Sequence, residues 1–229
     1  MTQSLTWSNI QRICREHALF SDAMTWLQPL LESAQDWPTA ADLNVTTKKL
    51  NPDFPWEFVS QAKVPRRARS RGESSLTGYV SMIAMHGKIP FREKNPHDFL
   101  NCLLFLIFPE SKSALNLRHL KESPEGLKPG QNRTRTQDLL TIFDEGGVVR
   151  LIKNNGTAKD LIFGHAIYEH ILGEKTLRAA RLDFPAPDEL LDKSICEITA
   201  FADKSFARWL QNEDNCLSSK EFSHVWITP

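Results

Sequence analysis

The sequence predicts a mainly helical α+β fold, a single domain with one central buried helix and a small antiparallel β-hairpin or sheet. Three observations carry this. Residues 99–108, "FLNCLLFLIF", are apolar on every side except at Asn101, a pattern that only a buried helix tolerates. Apolar residues recur at one-turn spacing in the first thirty residues and again near the C-terminus. Between them, short β-branched runs are punctuated by glycine, the mark of strands and tight turns.

Taken in order, "LTWSNIQRICREHALFSDAMTWLQPLLESA" places Trp7, Ile10, Ile13 and Cys14 on one stripe, continued by Leu27, Leu30 and Leu31, and predicts two or three short helices. "DWPTAADLN" reads as a turn and a further short helix with Thr39 as its N-cap. "NPDFPWEFVSQ", with Pro52 and Pro55, reads as an extended segment pinned by aromatics. "SLTGYVSMIAMHGKIPFR" restarts a helix that ends near Gly87.

Asn95, Pro96 and Asp98 open the apolar helix as N-cap, first helical residue and a carboxylate able to return a capping hydrogen bond. Phe108-Pro109 ends it, and Ser111 is the expected cap of the next helix. Downstream, "KESPEGLKPGQN" is a loop and "RTRTQDLL" a short helix. "LLTIFDEGGVVRLI" reads as a hairpin, with Thr141, Ile142 and Phe143 on one strand and Val148, Val149 and Leu151 on the other. "AKDLIFGHAIYEHILG" reads as one amphipathic helix closed by Gly173, and "KTLRAARLDFP" as a third strand. A long C-terminal helix is expected over about residues 187–211. The N-terminal helices occupy residues 1–57 and the main domain 58–229.

Lys+Arg and Asp+Glu balance at 28 each, which argues against a generally basic nucleic-acid coat. One dense basic run, Arg66, Arg67, Arg69 and Arg71, reads either as a phosphate or nucleic-acid contact or as a solvated loop without interleaved aromatics. Cys14, Cys102, Cys196 and Cys216 are scattered, with no C-x-x-C pair. They predict reduced thiols, a cytoplasmic setting and no structural zinc. The N-terminus lacks the basic-then-apolar pattern of a secretion signal, and the apolar run is about half a membrane span. No membrane partner is expected.

The polar residues around the apolar helix are the candidate site. His97 and Asn101 are four apart and share a face. Asn101 lies among apolar neighbours and must find hydrogen-bond partners, because a buried amide without them costs a few kcal/mol. On the next helix Lys112, Asn116 and His119 form a second stripe. His97, Asn101, Asn116 and His119 are therefore expected to converge, with the histidines as general acid/base and the amides as orienting groups. Arg92, Lys112, Arg133 and Asp138 are candidates for holding an anionic substrate. His165 and Glu169, four apart, fit a metal pair, a histidine held by a carboxylate, or a core histidine beside a surface Glu. A metal variant of the site would recruit His165 and Asp144. No metal or cofactor motif is present: there is no H-E-x-x-H, no G-x-S-x-G and no P-loop.

These stretches, "GKIPFREKNPHDFLNCLLFLIFPESKSALNLRH", "RTQDLLTIFDEGG" and "FGHAIYEHIL", resemble the bacterial family known as domain of unknown function 3025. The family-like core covers about residues 58–173. Phe91 stands where the family pattern has Thr, and Gln137 where it has Arg. The resemblance implies a cytosolic bacterial protein whose polar residues belong to one pattern. Three functional classes stay open. One is a hydrolase or transferase acting on an anionic substrate. Another is a binding module for nucleic acid or a protein, using the arginine run. The third is a purely structural polar network.

Overall fold

The computed structural model describes residues 6–61, 75–122, 134–215 and 222–228. The first helices are α1 (Trp7–Glu16), α2 (Met24–Glu32) and α3 (Ala40–Leu50). Trp7, Ile10, Cys14, Leu27, Leu30 and Leu31 of the expected stripe are buried, and Ile13 is partly buried against the same core. Thr39 caps α3 in a reciprocal box with Asp42, which satisfies two of the N–H groups a helix start leaves orphaned. Strand β1 (Glu57–Ser60) pairs in parallel with β2 (Lys88–Phe91), across α4 (Ser75–His86). Gly87, at φ +62°, makes the turn out of α4.

Helix α5 (Pro96–Ile107) is the central element. Every residue from Asp98 to Ile107 is buried, and the helix packs against α2, β2, α6 (Pro109–Lys121) and α8 (His165–Leu172). Asn95 caps it through the Asp98 N–H. The expected return bond from the Asp98 carboxylate is not made. That carboxylate instead accepts from the Arg92 main-chain N–H and, bidentately, from its guanidinium at 2.6 and 2.8 Å. A fixed cation outcompetes a neutral N–H for it.

Ser111 is not the cap of α6 either. Phe108 holds that position, and the carboxylate of Asp203, from α9 (Ile195–Gln211), accepts the Glu110 and Ser111 N–H groups at 3.0 and 2.7 Å. Arg118 on α6 answers by donating to the carbonyls of Leu210, Asn212 and Asn215 at the end of α9. The two packed helices thus complete each other's orphan termini. Helix α9 starts at Ile195, later than expected, because Ser194 and Glu197 form a capping box there.

Two further readings need correction. Thr141, Ile142 and Phe143 lie in helix α7 (Arg135–Gly146), not in a strand. Their β preference is overridden by the helical spacing of Leu139, Leu140 and Phe143, which are buried, while Ile142 faces out. The hairpin falls one step later. β3 (Gly147–Ile152) turns through residues 153–157, with Gly156 at φ +85°, into β4 (Ala158–Ile162). Residues 158–162 are therefore strand, and the helix read across them begins only at His165. β5 (Leu177–Pro185) is the third strand, as read.

The four-stranded sheet runs β4-β3-β5-β6, with β6 (Ser223–Ile227) at an edge. Its outer pairings are antiparallel, as expected, but β3 and β5 are parallel, and so are β1 and β2. Parallel neighbours need a crossover, which α8 supplies between β4 and β5. One continuous apolar cluster runs from Trp7 to Phe222 and unites the N-terminal helices with the sheet. Cys14 and Cys102 are buried free thiols. Among the described residues no helix is long and apolar enough to cross a membrane.

Candidate metal centre

Two glycine-bearing stretches meet edge to edge and create the site. Gly164, just before α8, donates its N–H to the Gly147 carbonyl at 2.8 Å. A Cβ at Gly164 would lie 2.4 Å from the Glu145 carbonyl oxygen and from the Gly147 nitrogen, and one at Gly147 would lie 2.4 Å from the Phe143 carbonyl oxygen. Only glycine permits this approach of backbone to backbone. Its consequence is that Glu145, at the end of α7, and His165, the first residue of α8, stand side by side. His97, in the first turn of α5, meets them from a third direction.

The imidazoles of His97 and His165 face each other through Nε2 atoms 3.1 Å apart, and the Glu145 Oε2 lies 3.3 Å from the His165 Nε2. One ligand atom from each of the three side chains falls within 4.8 Å of the others. The opposite nitrogens are both engaged. His165 Nδ1 bonds the Asp144 carbonyl at 3.0 Å, and His97 Nδ1 bonds Glu169 Oε2 at 3.0 Å. A carbonyl accepts only, so His165 carries its proton on Nδ1 and turns a bare lone pair toward His97. The carboxylate fixes His97 in the same way. Two lone pairs at 3.1 Å repel unless a cation lies between them: a proton, with His97 as imidazolium, or a metal ion.

Electrostatics separates the two histidines. The hydrogen bond to Glu169 draws the His97 pKa above its usual value, against the effect of burial. Burial drives His165 down to about 3, so its imidazole is neutral. Burial also raises the Glu145 carboxyl, while the bond to His97 lowers that of Glu169. His165 is 2% exposed, whereas His97, Glu169 and Glu145 are 35%, 42% and 45% exposed. The cluster is thus closed behind and open to solvent in front.

Behind it lies a dry polar network. Lys112, 1% exposed, donates from Nζ to Asn101 Oδ1 at 2.9 Å and to Asp144 Oδ1 at 2.5 Å, with the faces of Phe105 and Phe163 about it. Asn101 donates onward to the Tyr79 hydroxyl at 2.7 Å. Desolvation would raise the carboxyl of the partly buried Asp144, but the Lys112 ammonium, with the neighbouring histidines, holds it below the ordinary value.

The sequence-predicted residues therefore divide. His97 joins the open cluster. Asn101 and Lys112 form the buried network. Asn116 is buried but turns its amide back onto the Lys112 carbonyl of its own helix, and His119 is buried within electrostatic reach of Asp144. Arg92 is engaged with Asp98, and Asp138 is exposed in the first turn of α7. Arg133 and the run Arg66, Arg67, Arg69 and Arg71 lie outside the described residues. The pairing of His165 with Glu169 is redirected: Glu169 holds His97. The Asp144 carboxylate is taken by Lys112, so the His165 companion is Glu145, which the hairpin expected over "LLTIFDEGGVVRLI" would place in the turn between its strands.

A mainly helical α+β domain with a two-histidine, one-carboxylate cluster at converging helix ends is thus the class defined by fold and site. Residues 56–161 match the family described as "Protein of unknown function (DUF3025)", the family whose motifs this sequence resembles. No curated protein matches the chain. Among solved structures it is similar to the apo structure of the cold active phenylalanine hydroxylase from Colwellia psychrerythraea 34H. Identity is 13% and the TM-score 0.43, over 75% of this chain and 66% of that one. The chain thus spans just under two thirds of that protein.

Proposed function

We propose that this protein is a metal-dependent enzyme, in which a divalent transition-metal ion held by His97 Nε2, His165 Nε2 and Glu145 activates water against an anionic, oxygen-bearing substrate. The observation that carries the reading is the face-to-face pair of Nε2 atoms at 3.1 Å, each aimed by an acceptor on its Nδ1. Ligand atoms bound at about 2.0–2.1 Å stand about 2.9 Å apart at right angles and about 3.3 Å apart tetrahedrally. The contacts of 3.1 and 3.3 Å fall in that interval. Histidines aimed by a carboxylate or a backbone carbonyl are the usual support of a metal ligand.

Charge supports the same reading. Glu145, Glu169, Asp144 and Asp98 face two cations, Lys112 and Arg92, so one divalent ion balances the region. Three protein ligands on the solvent side leave coordination positions for water and substrate, as in catalytic rather than structural sites. The ion would lower the pKa of bound water and polarise a phosphoryl or carboxyl oxygen. In hydrolysis, the water oxygen bonds to the electrophilic centre, the bond to the leaving group breaks, and the water proton goes to the leaving group.

The test is metal binding before activity. Protein stripped with chelator and titrated with Zn(II), Fe(II), Mn(II) or Co(II) is expected to bind one equivalent. At a hundredfold excess over Kd it gains about 2.7 kcal/mol of stability. For a chain of this size that is a rise in Tm of roughly 5–10 °C. His165→Ala and Glu145→Ala should lose this rise. Equal melts with and without every ion would refute the proposal. Loaded protein is then assayed on phosphate and carboxylate esters.

A further inference from the structure

We infer that Lys112 is a positioning residue for the proposed metal centre: its ammonium ties together the elements that carry all three ligands. The inference rests on the metal reading above. Lys112 touches none of the ligand atoms, yet three of its contacts lead to them. Asn101, whose Oδ1 accepts a hydrogen bond from the ammonium at 2.9 Å, stands one turn beyond His97 on α5. Asp144, whose Oδ1 accepts another at 2.5 Å, directly precedes Glu145 and offers its carbonyl to His165 Nδ1. Phe163, beneath the ammonium at 5.3 Å, is two residues from His165.

Packing alone does not account for a lysine here. A methionine would fill the same space without the cost of desolvating an ammonium, and swapping a buried ion pair for apolar groups is often neutral or stabilising. What methionine cannot do is hold a carboxylate and an amide at fixed places on two different helices. If Lys112 is removed, the Asp144 carboxylate loses its counter-ion and the last turn of α7 loses its anchor. With that turn go the Asp144 carbonyl that sets the His165 tautomer and the direction of Glu145. The Gly164–Gly147 contact fixes the backbone from the other side. Lys112 therefore sets how well the three ligand atoms are spaced.

The experiment uses Co(II), whose visible absorption reports coordination number and geometry, with the full-length protein. Lys112→Met is the first variant. The double variant Lys112→Met/Asp144→Asn removes the buried charge and its counter-ion together, so that neither is left unpaired. The double variant is expected to fold with the far-UV circular dichroism and melting behaviour of the metal-free parent. Its Co(II) affinity should fall about 10- to 100-fold, the usual effect of losing the outer support of a metal ligand, and its visible spectrum should change. Parental affinity and spectrum in a folded double variant overturn the inference. If the unmodified protein binds no Co(II) at all, the metal reading itself fails and this one falls with it. If only the variants lose affinity and spectrum, both stand.

Discussion

Asp203 makes a pH-dependent prediction that sets two forces against each other. Its carboxylate caps α6 through the Glu110 and Ser111 N–H groups, and these bonds favour the ionised form. Burial opposes them and is the larger effect, pushing the carboxyl from 3.8 up to about 6. Below the unfolded value both states are protonated. Between the two values the native state holds the proton more tightly than the unfolded chain. Stability from this group is therefore full below about pH 4 and is lost as pH rises through about 6. Roughly two units at 1.36 kcal/mol each make the swing about 3 kcal/mol. The assay is urea unfolding of the parent and Asp203→Asn at several values between about pH 4 and 7.5. Other titrating groups cancel in the difference between the proteins, which should shrink by about 3 kcal/mol as pH rises. A difference that stays constant would show that the helix terminus balances or outweighs burial and would refute the reasoning.

Two other substitutions test the scaffold of the site. Gly164→Ala drives a Cβ to 2.4 Å from the Glu145 carbonyl oxygen and the Gly147 nitrogen. The main chain has to yield, so a loss of about 3 kcal/mol or more is expected, together with loss of the metal-induced rise in Tm. A parental melt would contradict the close approach. Asn101→Ala deprives Lys112 and Tyr79 of a partner and should cost on the order of 1–3 kcal/mol in denaturant unfolding. An unchanged midpoint would mean that water replaces the amide at no cost.

Much of the fold was legible because it is written locally. The all-round apolar character of residues 99–108 announced the buried helix, and Asn95 and Thr39 announced the starts of that helix and of α3 by side-chain chemistry alone. Asp144-Glu145-Gly-Gly misled because the same residues suit a hairpin turn and the tight end of a helix packed on another backbone. Only the tertiary contact with Gly164 decides between them. The site was half legible. Asn101 correctly demanded a polar partner, and Lys112 on the next helix supplies it. The meeting of His97 with His165, separated by 68 positions, has no local signal. The readable hint was the glycine in each of Asp-Glu-Gly-Gly and Phe-Gly-His, two stretches able to pack without side chains between them. The i, i+4 spacing of His165 and Glu169 pointed to a pair, but α8 turns the carboxylate toward α5.

The two halves of the polar cluster arise from different physical demands, which bears on whether it is a site or only a brace. Lys112 and Asn101 must find partners, because they are buried and unpaired groups there are costly, and the partly buried Asp144 carboxylate supplies the counter-ion. A structural account covers them fully. It does not cover His97, Glu145 and Glu169, whose side chains are each a third or more exposed. Water would satisfy them in many orientations at little cost. Instead, His97 is held at both ring nitrogens, and Glu145 is brought beside a neutral, nearly inaccessible imidazole. The fold imposes this order through two glycine contacts and a buried lysine, at a place where stability does not require it. Ordered donor atoms at the solvent edge of a hydrogen-bonded, largely buried support are what the proposed ion would require.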